Sequence, residues 1–286
     1  MSRLRSAALL GAVMCVAAMY GCGGGPPGGP TPQPPPPAAN QPPVIDSVVS
    51  SVQRAEVGTE VIFTATVRDA ETPVGQLIFE WAADAGTFNG AGSSISWRPP
   101  DNATTPADFV IRLTVREQYG TAPAGGQRPE HRVTANSNAV RVHNSVKELG
   151  DMAMRFLNDF ANSQVSADTC VRDFSNSCPG KAVERSQIQD NRRDYDVLSF
   201  SLRLREAVPS SDKMSGRMRV NCAFTSRVKA CVPGTSVPNC TVGAIEHVEG
   251  DCNTTAVYEQ GRWWLCDSTF DNGKLNPLRT GFFSSR

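Results

Sequence analysis

Apolar residues fall at every second position through Val61, Phe63, Ala65 and Val67. The same period appears at Leu77, Phe79 and Trp81, then at Phe109, Ile111, Leu113 and Val115, with Val140 and Val142 closing the series. A period of two is the side-chain repeat of a strand with one buried face. Turn signals at Val57-Gly58, Thr72-Pro73, Pro99-Pro100 and Gly120 separate the runs. Short alternating strands with no helical period predict an antiparallel β-sandwich over residues 42–143.

The period then changes. Met152, Ala153, Phe156, Leu157 and Phe160 share one helical face, and residues 182–188 read as a second short helix. Strand patterns return at 195–205, 217–229, 243–259 and 262–268. Gly261 in Glu259-Gln260-Gly261-Arg262 marks a tight hairpin turn. Helices followed by a run of antiparallel strands predict an α+β domain over residues 144–270. Residues 271–286 are left as a C-terminal tail.

The N-terminal 21 residues have a different character. Arg3 and Arg5 precede an apolar run from Ala7 to Tyr20, which is the layout of a secretory signal. The run falls short of the roughly 20 apolar residues that a spanning helix needs. Met19-Tyr20-Gly21-Cys22 resembles a bacterial lipobox; that resemblance implies cleavage before Cys22, acylation of its thiol and attachment to the membrane through lipid. Gly23 stands where an aspartate would imply inner-membrane retention, so the resemblance points to the outer membrane. Residues 22–41 are dominated by Gly and Pro, cannot form a core, and favour an extended tether of about 3.1 Å per residue.

Composition narrows the function classes. Lys and Arg together number 28, as do Asp and Glu, so the chain lacks the basic excess that nucleic-acid binding requires. Of nine cysteines, seven lie between Cys170 and Cys266 and none between Cys22 and Cys170. In an exported chain such cysteines are expected to form disulfides. Cys170 with Cys178, and Cys231 with Cys240, are the local pairs this spacing suggests. No C-x-x-C pair or nearby His supports zinc. Asp46, Asp69 and Glu71 are too few to outline a Ca²⁺ site and read as solvated loop charges. No metal and no cofactor is expected.

Two family resemblances extend this reading. Pro42-Pro43-Val44-Ile45, Val57-Gly58, Asp69, Phe79-Glu80-Trp81, Gly86-Thr87-Phe88, Trp97-Arg98-Pro99-Pro100 and Leu113-Thr114-Val115 resemble bacterial surface modules of the PKD and cadherin-like, immunoglobulin-like group. Trp81 and Trp97 would then be core residues. Residues Thr255 to Asp267, with the turn Gly261 followed by Trp263 and Leu265, resemble the last strand pair of the nuclear-transport-factor-like, or ketosteroid-isomerase-like, superfamily. That resemblance implies an α+β cone with a curved antiparallel sheet. Counting back from its hairpin turn places Cys266 opposite Thr254 and within reach of Cys252. Cys252 can bond either Cys222 or Cys266; Cys222 is preferred, and one thiol is left over.

Candidates for chemistry follow from the cone. Tyr195, Tyr258, Trp263, Trp264 and Asp267 are the residues that could line its cavity, with Trp263 and Trp264 on opposite faces. Asp196, His247 and Glu249 complete the titratable set; His247 reads as a strand-surface residue, and Tyr195 and Asp196, after Arg192-Arg193, as local ion pairing and packing. No Gly-x-Ser-x-Gly, His-Glu-x-x-His or phosphate loop is present. The preferred expectation is a non-enzymatic lipoprotein of the cell envelope, its sandwich a spacer or adhesion element presenting the cone to an envelope protein or glycan. The alternatives are a small-molecule or glycan binder with an open cone cavity, and an isomerase-like enzyme.

Overall fold

The computed structural model describes residues 39–231 and 240–271. Cys22, the signal segment, nearly all of the tether and the tail from residue 272 lie outside the described residues. Within them the chain is mostly β-sheet, in several antiparallel sheets with few helices.

The first region runs through β1 (Val44–Ser50), β2 (Arg54–Glu56), β3 (Val61–Arg68), β4 (Ile78–Ala82), β5 (Thr87–Ala91), β6 (Ser94–Arg98), β7 (Ala107–Phe109), β8 (Arg112–Gln118), β9 (Glu130–Asn136) and β10 (Val140–His143). They form three sheets, ordered β1-β3-β6-β5, β2-β10-β7 and β4-β8-β9. All pairings are antiparallel except β2 with β10, which is parallel. β3 shows why the period works: Val61, Phe63, Ala65 and Val67 are buried while the residues between them are exposed. Phe63 meets Trp97 of β6, Ile111 and Val140 in one apolar cluster, and Val67 meets Leu113 and Val115 of β8 in another. Residues of different sheets share each cluster, an arrangement compatible with a β-sandwich.

Trp97 is a core residue, and Trp81 is a half-buried one packed against the core. Trp97 is fully buried and donates its indole N–H to the Ala85 carbonyl at 3.0 Å; Trp81 donates to the Gly92 carbonyl at 2.9 Å. Burying a Trp with its N–H satisfied avoids the cost of an orphaned donor. Gly86 is needed beside Trp97, because its φ is +94° and a Cβ there would lie 2.4 Å from the indole nitrogen.

The second region opens with α1 (Ser145–Ala161), continues through α2 (Ala167–Cys170) and α3 (Gly180–Asp194), and ends in β11 (Tyr195–Pro209), β12 (Ser215–Val228), β13 (Ile245–Glu259) and β14 (Arg262–Asp271). The four strands form one sheet in sequence order. Asn144 caps α1, its side chain accepting from the Lys147 N–H at 3.1 Å. The buried stripe of α1, from Leu149 to Ala161, packs on Met218, Val220, Phe224, Ala256 and Leu265 of the sheet. Phe156 meets Phe174 edge-on at 5.0 Å, so deleting its ring should cost about 3–5 kcal/mol. The hairpin between β13 and β14 turns at Gln260 and Gly261, with φ of +52° and +79°, the two positive values that a tight primed turn requires.

The disulfides correct the expected local pairing of Cys170 with Cys178. Cys178 bonds Cys266 (Cα–Cα 5.1 Å), and Cys170 is free and buried. The cause is the path of the chain after α2. Phe174 bridges to Leu265, the Ser175 N–H donates to the Leu265 carbonyl at 2.8 Å, and Ser175 and Ser177 donate their hydroxyls to Glu259. This segment is thus laid along β14 and delivers Cys178 to Cys266. Cys266 is available because it sits in a bulge: Ala256 pairs with Leu265 and Thr255 with Asp267. The expected pairing of Cys266 with Thr254 is not formed: the two-residue turn shifts the register by one and the bulge by one more, so Thr254 faces Ser268. Just beyond, Gly180 packs so closely that a Cβ would lie 2.1 Å from the Cys266 carbonyl. Cys222 bonds Cys252 and Cys231 bonds Cys240.

Candidate functional site

The described chain from Asn40 onward forms one compact unit, and a polar network inside it ties the two regions together. Its centre is His143, the last residue of β10, fully buried at the point where the strand runs into the cap of α1. Nδ1 of His143 lies 2.8 Å from Glu148 Oε2, one turn into α1. Nε2 lies 2.9 Å from the Tyr258 hydroxyl on β13. Burial is the largest influence on Glu148 and acts to raise its pKa, but hydrogen bonds from His143 and Thr105 outweigh it, so the carboxyl is held below its ordinary value. An ionised carboxylate only accepts, so Nδ1 carries the proton donated to Glu148, and Nε2 shares a hydrogen bond with the Tyr258 hydroxyl.

Around this chain β2 supplies a second pair. The Arg54 guanidinium lies over the Tyr258 ring at 3.6 Å and over Trp263 at 5.5 Å. It also donates to the Lys213 carbonyl at 2.7 Å and to Ser145 Oγ at 3.2 Å. Glu56 accepts from the Ser145 N–H at 2.9 Å and from its hydroxyl at 2.6 Å. A carboxylate there meets the unsatisfied N–H groups and positive dipole end of α1.

A carboxylate, an imidazole and a hydroxyl in sequence is the order of an activated nucleophile. The surroundings argue against that use. The Tyr258 ring is covered by Arg54, and burial pushes the Tyr258 hydroxyl up in pKa, away from the range in which a phenolate would serve as base or nucleophile. A cleft of about 350 Å³ opens beside the network, lined by Asp101 to Thr105 and by Asn144, Lys147, Glu148 and Asp151. It touches Glu148 but not His143 or Tyr258. The network can hold the two regions in a fixed relation, and of its members only Glu148 lines that cleft.

The sequence-derived candidates are distributed over several places. Tyr258 and Trp263 are neighbours in the network, their rings 5.4 Å apart. Trp263 is buried in the core with Met152 and Met218. Tyr195 lines a separate cleft of about 20 Å³ with Phe160, Asn191, Arg192 and Val197, room for about one water. Trp264 lies on the other face of the sheet, stacked under Arg262 at 3.5 Å and donating to the Glu259 carbonyl. Asp267 accepts from the Ser268 N–H at 2.9 Å and faces Glu184 of α3. His247 is exposed and shares a hydrogen bond with Thr225. Asp46 pairs with Arg68, and Asp69 Oδ1 accepts from the Glu71 and Thr72 N–H groups.

Arg54, Glu56, His143 and Glu148 were not singled out in the sequence. Only the position of His143, directly ahead of the cap residue Asn144, carried a signal. One further buried acid emerges. Glu184 of α3 is pushed up to about 8, first by burial and then by the charge of Asp267, against a hydrogen bond from the Ser268 backbone. Cys170 receives a hydrogen bond from Arg192 at 3.2 Å, yet burial pushes its thiol up, which makes it an unreactive core residue.

No family model matches the chain, and no curated protein matches it. Two solved structures are similar to it at low levels. One is the intermembrane space region of the chloroplast protein ARC6, at 9% identity and a TM-score of 0.27, covering 42% of this chain and 95% of that one. The other is the N-terminal Ig1-2 module of the Drosophila receptor protein tyrosine phosphatase DLAR, at 8% identity and a TM-score of 0.23, covering 80% of this chain and 97% of that one. At such scores neither likeness carries an argument about this chain.

Proposed function

We propose that this chain is a non-enzymatic lipoprotein of the bacterial cell envelope, anchored through acylated Cys22 in the outer membrane. Its first region serves as an immunoglobulin-like spacer on the Pro/Gly tether, and its second, disulfide-stabilised region is the cone domain it presents to an envelope protein or glycan. The observation that carries the reading is the junction: His143 is hydrogen-bonded to Glu148 and to Tyr258, and Arg54 lies over the Tyr258 ring, an arrangement suited to a stiff arm. The burial of Trp263 with Met152 and Met218 speaks against the alternatives of an open binding cavity and an isomerase-like enzyme.

Metabolic labelling with a fatty acid tests the anchor. The parent chain should carry label and fractionate with the outer membrane, while Cys22→Ala should lose the label and accumulate as precursor or soluble protein. A parent chain without lipid overturns the reading.

A further inference from the structure

The sheet of the second region has an open edge. β11 is 15 residues long and pairs with β12 on one side; among the described residues no strand pairs with its other side. An open edge presents a row of unpaired N–H and C=O groups, and proteins commonly blunt it with bulges, inward charges or a covering element. Here bulges interrupt the pairing between Val197 and Ser199 and between Leu204 and Glu206. Between them Ser199 to Leu204 runs in unbroken register with Thr225 to Val220, a stretch as long as an ordinary strand.

The two faces of this window differ. Phe200, Leu202 and Leu204 stand opposite Phe224, Cys222 and Val220, which are buried in the core. Phe200 and Leu204 nevertheless remain 43% and 40% exposed, although α1 packs along β11. Gly150 of α1 abuts Leu204, and Val146, one turn earlier on the same helix face, is 54% exposed. Together they make an apolar shelf along the edge. The opposite face carries Arg203, with Arg205 in the adjoining bulge; both are exposed and have no ion pair or hydrogen bond among the described residues. Arg219 on the neighbouring strand, by contrast, has Glu206 and Asp251.

We propose that the edge of β11 over Ser199–Leu204 binds an extended peptide segment of a partner protein as an added strand, the segment alternating apolar with acidic residues. Backbone hydrogen bonding would supply the docking, and alternate side chains the selectivity. The apolar residues would cover Phe200 and Leu204 beside α1, while the acidic residues meet Arg203 and Arg205. A second copy of this chain fits less well: pairing the window with itself gathers arginines from both copies on one face, with no acidic residue in the window to offset them. The proposal deepens the presenting role suggested above by naming what the second region would take.

The test uses the full chain and a short peptide alternating Glu with Val and Leu, followed by fluorescence anisotropy. The peptide should bind saturably, and a peptide with Lys in place of every Glu should not. The Arg203→Glu, Arg205→Glu double variant should weaken binding by about tenfold or more and should capture the Lys peptide instead. Phe200→Lys, an inward charge on the edge, should abolish binding of both; circular dichroism and thermal melting confirm that each variant is folded. Absence of binding by the parent chain overturns the proposal, as does binding that survives both variants. Self-association relieved by Phe200→Lys, without peptide binding, also overturns it in favour of a second copy. Lipid labelling at Cys22 is read separately, so a failed strand site and a failed lipoprotein reading remain distinguishable.

Discussion

The two regions solve the same problem, an antiparallel sheet with an apolar face to cover, by different means. The first covers sheet with sheet: Phe63, Trp97, Ile111 and Val140 interleave, and no disulfide is present. The second covers its sheet with helices on one side only, leaving β11 at an open margin, and is stapled by three disulfides. Cys178–Cys266 holds the chain ahead of α3 to β14, Cys222–Cys252 links the buried faces of β12 and β13, and Cys231–Cys240 closes the ends of the connection between those two strands.

The contrast makes quantitative demands. The largest concerns the disulfide between Cys178 and Cys266, which spans 88 residues. Replacing both cysteines with serine should cost the second region about 4 kcal/mol. Hydrogen exchange resolved along the sequence should show protection falling in α3 and β14 while β3 and β8 keep theirs. Equal loss in both regions would mean that the compact unit unfolds as a single body.

Glu184 supplies the next effect. Its pKa is raised in the folded state from 4.5 to about 8, so the native chain binds more protons than the unfolded chain between those values. Its cost is therefore absent below pH 4.5 and grows as pH rises toward 8. Thermal melting of the parent should decline across that window by up to about 3 kcal/mol near neutrality, and Glu184→Gln should flatten the decline. A variant with the parent's pH profile would place the titration elsewhere.

The smallest effect tests the junction. Tyr258→Phe removes one hydroxyl from the buried His143 and should cost about 1–2 kcal/mol. A double-mutant cycle with Glu148→Gln should show coupling, because both groups act through one imidazole. Additive losses would make the network a set of independent contacts.

Much of the strand content was legible because burial on one face writes a period of two into the chain. β3 is the clearest instance. β9 was missed, since its residues are only half-buried or exposed and the period fades. The sequence pattern marks only 182–188 of α3, which spans Gly180–Asp194, because only four of its residues are buried and its apolar signal is weak. The β-bulge at Cys266 is invisible to counting from the hairpin turn, yet the preferred Cys222–Cys252 pairing forms; the local pairing of Cys170 with Cys178 fails because Cys178 is carried along β14 to Cys266. The junction network was nearly illegible: His143 and Tyr258 are 115 positions apart, and neither has a local partner that announces the other.

From residues alone came what depends on neighbours in sequence: the alternation of β3, the apolar stripe of α1, the Gly261 turn, and the lipobox-like Met19-Tyr20-Gly21-Cys22. Each rests on a repeat or spacing of a few residues, and local backbone geometry translates it directly. Tertiary structure alone decided that Cys178 finds Cys266, that His143 lies between Glu148 and Tyr258, and that Arg203 borders an open edge. Those outcomes depend on how whole elements pack, a long-range competition for burial that no short window of sequence records.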